Sequence, residues 1–232
     1  MPGYIMHLAE AKLILNFIQK EYSHRIKNFA EWKNEFLCGA LLPDTAEKQK
    51  KQISHFWEQE NVDNVLVIPS LDHFLEKYII DLEEPLICGY FAHLQLDQLF
   101  FGQFFKSQVD FLDINGHLEM KSEYVKHVFI RRNHTKVSVL DFFSEQYLYG
   151  DYTKLNPYLI EKYQVELPIF DKEMRNPISE VSIVRLEDVL EKLDTFLEQS
   201  EVAQGELMVF DRDAVDEFLQ KSALAFNQFI TH

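Results

Sequence analysis

Residues that interrupt helices are few in this chain: glycine and proline number 7 each among 232 residues. That scarcity argues against a turn-rich β fold and for long helices. Cysteine is scarcer still, with Cys38 and Cys88 alone. Two cysteines build no disulfide framework, and both sit in apolar stretches that read as buried free thiols. Positive charge is also short. Lys and Arg total 23 against 38 Asp and Glu, a formal net charge of -15. Such a surface repels duplex nucleic acid and anionic headgroups, leaving a small or zwitterionic substrate open. No stretch of ~18 or more residues is free of charged and polar groups, so no membrane span is expected. No basic region followed by an apolar run opens the chain, which makes the cytoplasm the expected location. A Gly-rich phosphate loop, a Gly-x-Ser-x-Gly elbow, a Cys-x-x-Cys pair and a His-Asp doublet are all missing, which removes the nucleophile and nucleotide chemistries they carry.

Apolar residues are plentiful at 47%, with 20 Phe and 10 Tyr, enough for a sizeable core and too many for disorder. Ile5, Leu8, Leu15 and Ile18 recur near helical spacing over residues 4–21, and Ile26, Phe29, Trp32 and Phe36 over 26–37. Leu41-Leu42-Pro43-Asp44-Thr45 reads as a loop feeding a helix over 46–59, and Asn64 to Ile68 as a short extended run. Ser70 is a fair N-cap for a helix over 71–80. Residues 85–106 are apolar on nearly every face and start with Pro85, the pattern of a helix inside its protein. His127 to Arg131 and Lys136 to Val139, flanking Asn133-His134-Thr135, suit a β-hairpin, with Arg131-Arg132 at its exposed end. Asn156-Pro157 reads as a helix start, 186–199 as an amphipathic helix that includes Phe196 and Leu197, and Asp211 as the cap of a last helix. The expected class is all-α, with one small hairpin.

The chemistry gathers in the first 97 residues. His93 and Asp97, four apart, project from one face of the buried helix, with Gly89 one turn earlier leaving room there. An Asp inside an apolar helix is costly unless paired or bound to metal; an intrahelical His–Asp hydrogen bond is the alternative. His7, Asp44 and His55 add to the pair, although Asp44 alone reads as an N-cap and His55, among aromatics, as a structural histidine. Together they are three His and two Asp on four segments, and helix bundles build metal sites from side chains on facing helices.

Met1-Pro2-Gly3-Tyr4-Ile5-Met6-His7, Gly39-Ala40-Leu41-Leu42-Pro43-Asp44, Ser54-His55-Phe56 and Gly89-Tyr90-Phe91-Ala92-His93-Leu94-Gln95-Leu96-Asp97 resemble, in order and rough spacing, the zinc-dependent phospholipase C family, which is related to single-strand nucleases. The cytosolic hydrolase-like members look closest, and Tyr147 to Pro157 resembles a later motif of theirs. The resemblance covers roughly residues 1–165, leaving 166–232 as a helical extension packed on the same domain. It implies an all-α phospholipase C/nuclease-like bundle and zinc held by His7, Asp44, His55, His93 and Asp97. Asp44, His55, His93 and Asp97 would surround one ion, and His7 with a bridging Asp97 would serve another. Asp44 would double as general base, and Asp151 is a second-tier acid–base group or ligand, with a turn-forming Asp as its alternative. The chain departs from secreted members in having six residues before His7 and no His-x-x-x-Glu pair, so one or two ions are expected rather than three. His117, His127 and His134 read as surface histidines, and Lys48, Lys50 and Lys51 as a solvated helix face. The implied activity is hydrolysis of an ester, a phosphoester first; a non-catalytic zinc-stabilised module and a protein-interaction protein are the alternatives.

Overall fold

The computed structural model describes residues 3–199 and 205–231, without the side chains of 195–199. Met1 and Pro2 of the opening motif, and the side chains of Phe196 and Leu197, lie outside this description. The chain is mainly helical, with one small antiparallel sheet.

Helix α1 (Tyr4–Tyr22) buries Ile5, Leu8, Leu15 and Ile18 as their spacing requires. Helix α2 (Phe29–Leu41) starts three residues later than the periodicity suggests. Asn28 caps it, accepting from the Glu31 backbone amide, and Asn and Asp compete for helix-start geometry more strongly than Ile26 extends the helix backwards. A 3-10 turn over Leu42–Thr45 continues from α2. The helix expected over 46–59 is absent. In its place stand a 3-10 turn over Lys48–Lys50, the single turn α3 (Lys51–Ser54), and a reversal at Phe56, whose φ is 53°. Long-range packing overrides propensity here. Phe56 sits edge-on to Phe74 and Tyr90, with ring centroids 5.3 and 6.4 Å away, and the Tyr90 hydroxyl donates to the Ser54 carbonyl at 2.5 Å.

Helix α4 (Leu71–Tyr78) follows Ser70, and α5 (Pro85–Leu99) starts at its proline. Every residue of α5 from Leu86 to Asp97 is buried. A π turn over Phe100–Phe104 leads into the short α6 (Phe105–Gln108). Strands β1 (Val109–Leu112), β2 (His127–Ile130) and β3 (Thr135–Ser138) pair antiparallel in that order, and His134 takes the left-handed turn position at φ 55°. The hairpin matches its pattern, whereas β1 has only four residues of alternating burial and gave no separate signal. His117 and His134 are exposed, but His127 is half-buried in β2 with Nδ1 out of contact with water.

The single turn α7 (Val139–Phe142) precedes α8 (Leu148–Tyr163). Pro157 lies inside α8 rather than at its start. Burial of Leu148, Leu155, Leu159 and Tyr163 along one face outweighs the one hydrogen bond a proline removes. Helices α9 (Leu186–Gln199) and α10 (Arg212–Ile230) follow, Asp211 accepting from the amides of Asp213 and Ala214. The chain beyond residue 165 joins the same body. Lys12 donates to Glu166 at 2.6 Å, Asn34 bonds the backbone of Ile169 both ways, and Phe226 packs on Phe36 and Phe91.

Helices α2 and α5 meet at glycines. A Cβ on Gly39 would run into the Leu86 carbonyl oxygen, and one on Gly89 into that of Phe36. Gly89 therefore makes room for α2 and not for an ion, contrary to its reading from sequence. Cys38 and Cys88 are free and buried, and burial pushes both thiols up to about 12, which makes them inert. Among the described residues no helix is long and apolar enough to cross a membrane.

Candidate metal centre

Four segments bring the five residues to one place. His7 comes from the first turns of α1, and Asp44 from the 3-10 turn behind α2. His55 stands at the end of α3, and His93 and Asp97 come from the buried core of α5. His7, His93 and Asp97 are each 1% exposed, His55 0% and Asp44 7%. Asp44 occupies the interior of a 3-10 turn, so its side chain is free of an N-cap duty.

The separations fit shared ligands better than hydrogen bonds. His7 Nε2 to Asp97 Oδ1 is 3.5 Å, His55 Nε2 to Asp44 Oδ1 is 3.4 Å, and Asp97 Oδ2 is 3.7 Å from both His55 Nε2 and His93 Nε2. A hydrogen bond between such groups closes at about 2.7–2.9 Å. Two atoms that each lie about 2.0–2.2 Å from one tetrahedral zinc stand roughly 3.3–3.6 Å apart. Ligand atoms of His7, Asp44 and His93 fall within 4.8 Å of one another, as do those of His55, His93 and Asp97. His93 belongs to both groups. The His7 and His93 rings stack at 3.7 Å, and His55 stands edge-on to His93 at 5.4 Å.

Buried atoms without partners mark where an ion fits. Both nitrogens of His7, Nε2 of His55 and of His93, and Oδ1 of Asp97 make no hydrogen bond and have no contact with water. Such atoms cost about 1–3 kcal/mol each when left unsatisfied. The other nitrogens of two histidines are held. His93 Nδ1 donates to the Ala40 carbonyl at 2.8 Å, which leaves a lone pair on Nε2. His55 Nδ1 lies 2.9 Å from Ser54 Oγ, a hydrogen bond that fixes the ring with Nε2 turned to the cluster. Orientation of a ligand imidazole through its second nitrogen is the usual companion of metal binding.

The electrostatics agree. Burial pushes Asp44 upward, but His55 beside it and the charges of His93 and Lys51 outweigh that and hold it well below the usual carboxylate range. Asp97 is likewise lowered, burial being overcome by His7, His93 and His55. Burial, reinforced by His7, pushes His93 down to about 3. Asp44 and Asp97 are therefore held as carboxylates and His93 as neutral imidazole, the forms in which such groups bind a divalent ion. Lys51 donates to Asp44 Oδ1 at 2.6 Å and brings one positive charge against two buried carboxylates. It is part of this site rather than of a solvated face, as its neighbours had suggested. The residues present fit a divalent cation with N/O preference, zinc among them.

Asp151 is not part of the cluster's contacts. Its buried carboxylate accepts from the backbone amides of Met208, Val209 and Phe210 at 2.8, 2.6 and 3.0 Å, which ties α8 to the segment before α10. The structure therefore gives it neither a free coordination position nor the turn role read from Gly150, since it lies in the first turn of α8. Sequence reasoning missed Glu10, one turn along α1 from His7 and 1% exposed, whose carboxylate accepts from Ser222. Its glutamate type in an otherwise apolar helical face was the only available sign. A concavity of about 1290 Å³ between Tyr22, Trp32, Leu82 and Phe229 shares no residue with the cluster.

The chain matches no family model, no curated protein and no solved structure.

Proposed function

We propose that this chain is a zinc-dependent hydrolase of ester bonds, a phosphoester first, using one or two ions held by His7, Asp44, His55, His93 and Asp97. One observation carries the reading: three imidazoles and two carboxylates converge in the interior with lone pairs unsatisfied at ligand spacing. The resemblance to the zinc-dependent phospholipase C family supports it through the same five residues. A zinc ion bound there supplies Lewis acidity, lowering the pKa of a water to about 7 and polarising the ester oxygen.

The protein's own residues supply the rest. His93, fixed by Ala40, and His55, fixed by Ser54, present Nε2 without rotational freedom. Asp97 lies 3.5 Å from His7 and 3.7 Å from both His55 and His93 and would hold an ion in common with them. Asp44, the most exposed of the five, would orient the attacking water and accept its proton. Lys51 beside it offers a cation to a phosphoryl oxygen. The acidic surface favours a small or zwitterionic substrate over long nucleic acid.

The near-complete burial of the five side chains favours a second reading, a closed structural zinc without catalysis. Elemental analysis of the purified protein, with phosphodiester and phosphomonoester panels with and without chelator, separates the two. The hydrolase reading expects bound zinc and chelator-sensitive turnover, both lost in His93→Ala. Full metal content in His93→Ala overturns the ligand set, and bound zinc without turnover leaves the structural reading.

A further inference from the structure

The concavity of about 1290 Å³ sits where helix ends meet. Ile18 and Tyr22 come from the end of α1, Trp32 from the start of α2 and Phe229 from the end of α10. Ile79 and Leu82, just past α4, complete the wall. Ile18 lies about 16 Å along the α1 axis from His7, so this space stands apart from the candidate metal centre. Apolar and aromatic side chains make up the wall except for Arg25, Lys27, Glu83 and Gln228. Ile79 and Phe229 are 50% and 39% exposed in it. Apolar surface held open to water is a cost that a bound apolar group removes. A large apolar concavity with a few polar groups is the usual form of a small-molecule site.

The polar groups say which kind of molecule. Arg25 and Lys27 are exposed and follow directly on α1. The Arg25 guanidinium lies 5.5 Å from the centroid of the Tyr22 ring, which holds it at the wall. Among the described residues neither cation forms a salt bridge, whereas the nearby acid Glu21 is engaged by Lys20 at 3.2 Å. Glu31, Glu35 and Glu84 stand on the adjoining helix starts but outside the wall. Cations therefore outnumber acids here, although the chain carries a net charge of -15. The space exceeds the roughly 300–1,000 Å³ of pockets for drug-sized ligands and has room for an extended chain.

We propose that this concavity binds a single-chain amphiphilic anion, a medium- or long-chain carboxylate. Its alkyl chain would lie against Trp32, Leu82 and Phe229, and its head group would pair with Arg25 and Lys27. The proposal does not depend on the metal reading of the cluster.

The chain has two tryptophans, so Trp57→Phe leaves Trp32, in the wall, as the only one. Dodecanoate is titrated into this variant below its micellar range while Trp32 fluorescence is followed, with circular dichroism checking that the fold is kept. Saturable binding is expected. Each buried methylene is worth roughly fourfold in affinity, so octanoate should bind at least roughly tenfold weaker. Dodecyltrimethylammonium, with the opposite charge, should also bind at least roughly tenfold weaker. Arg25→Gln with Lys27→Gln should weaken dodecanoate by roughly tenfold or more and leave dodecanol unchanged. Glu83→Gln should tighten dodecanoate, and Ile79→Glu should weaken it. All four substitutions fall on exposed positions, so the fold should survive them. No saturable response, equal binding of the carboxylate and the ammonium, or unchanged affinity in the double variant overturns the proposal. Cosedimentation with phosphatidylcholine vesicles in the absence of dodecanoate binding would make a lipid surface the occupant. A dimer in sedimentation velocity that Ile79→Glu disperses would make a second copy the occupant. Either result overturns the proposal as well.

Discussion

Replacing Glu10 by glutamine should flatten a pH dependence that the wild-type fold carries. Glu10 is enclosed between α1 and α10, where Ser222 donates to it. Burial drives its pKa up, the Ser222 hydrogen bond pulls against this, and the Asp97 charge adds to the rise, with an outcome of about 8 against an ordinary 4.5. The folded protein therefore keeps a proton that the unfolded chain releases from 4.5 upward. The contribution is fully present below pH 4.5 and is lost as pH rises through about 8. At about 1.4 kcal/mol per pH unit the swing is at most roughly 5 kcal/mol, large against a typical domain stability of about 5–15 kcal/mol. Glutamine retains an acceptor for Ser222 and has no proton to lose. Urea unfolding of both proteins from pH 5 to pH 9, in chelator, isolates Glu10, because every other titration is common to the two. Wild type should lose roughly 2–5 kcal/mol relative to Glu10→Gln across that range. A difference constant within about 0.5 kcal/mol would refute the reasoning. Zinc should shrink the slope, because a cation beside Asp97 offsets the carboxylate charge that Glu10 feels.

Asp151→Asn should cost about 2–4 kcal/mol in denaturant unfolding, since three backbone donors lose a charged acceptor, while zinc per chain stays constant. Lost turnover at full stability would return Asp151 to the catalytic set. Lys51→Met should raise zinc affinity roughly tenfold in competition with a fluorescent chelator, because a cation 2.6 Å from Asp44 Oδ1 competes with the ion; weaker binding would make Lys51 a supporting partner instead. Gly89→Ala should lower stability by about 3 kcal/mol in thermal or urea unfolding, as its methyl meets the Phe36 carbonyl. A loss below about 1 kcal/mol would show that the helices separate easily.

The long helices were legible because α1 and α10 bury apolar residues at regular spacing and α5 is apolar on nearly every face. The five candidate ligands stood out partly because His93 and Asp97 are the only histidine and the only charged residue from Pro85 to Phe105, so partners had to come from elsewhere in the chain. What stayed hidden depends on contacts far apart in sequence. Nothing local says that Lys51 turns inward to Asp44, that Ala40 orients His93, or that Asp151 serves amides 57 to 59 residues away. The helix expected over 46–59 fails for the same reason, since Phe56 gives up helical backbone to reach Phe74 and Tyr90. Pro157 misled because a strong apolar face keeps α8 continuous across a weak link.

Where Gly39 and Gly89 cross, main chain rests on main chain, and that joint sets how far apart two walls of the centre stand. Ala40 adjoins one glycine and His93 lies one turn past the other, so repacking elsewhere in the core leaves their spacing alone. The pair behaves as a single beam. Any widening of the centre must then come from another wall, such as the irregular stretch that carries Asp44 and His55, where short turns replace a long helix.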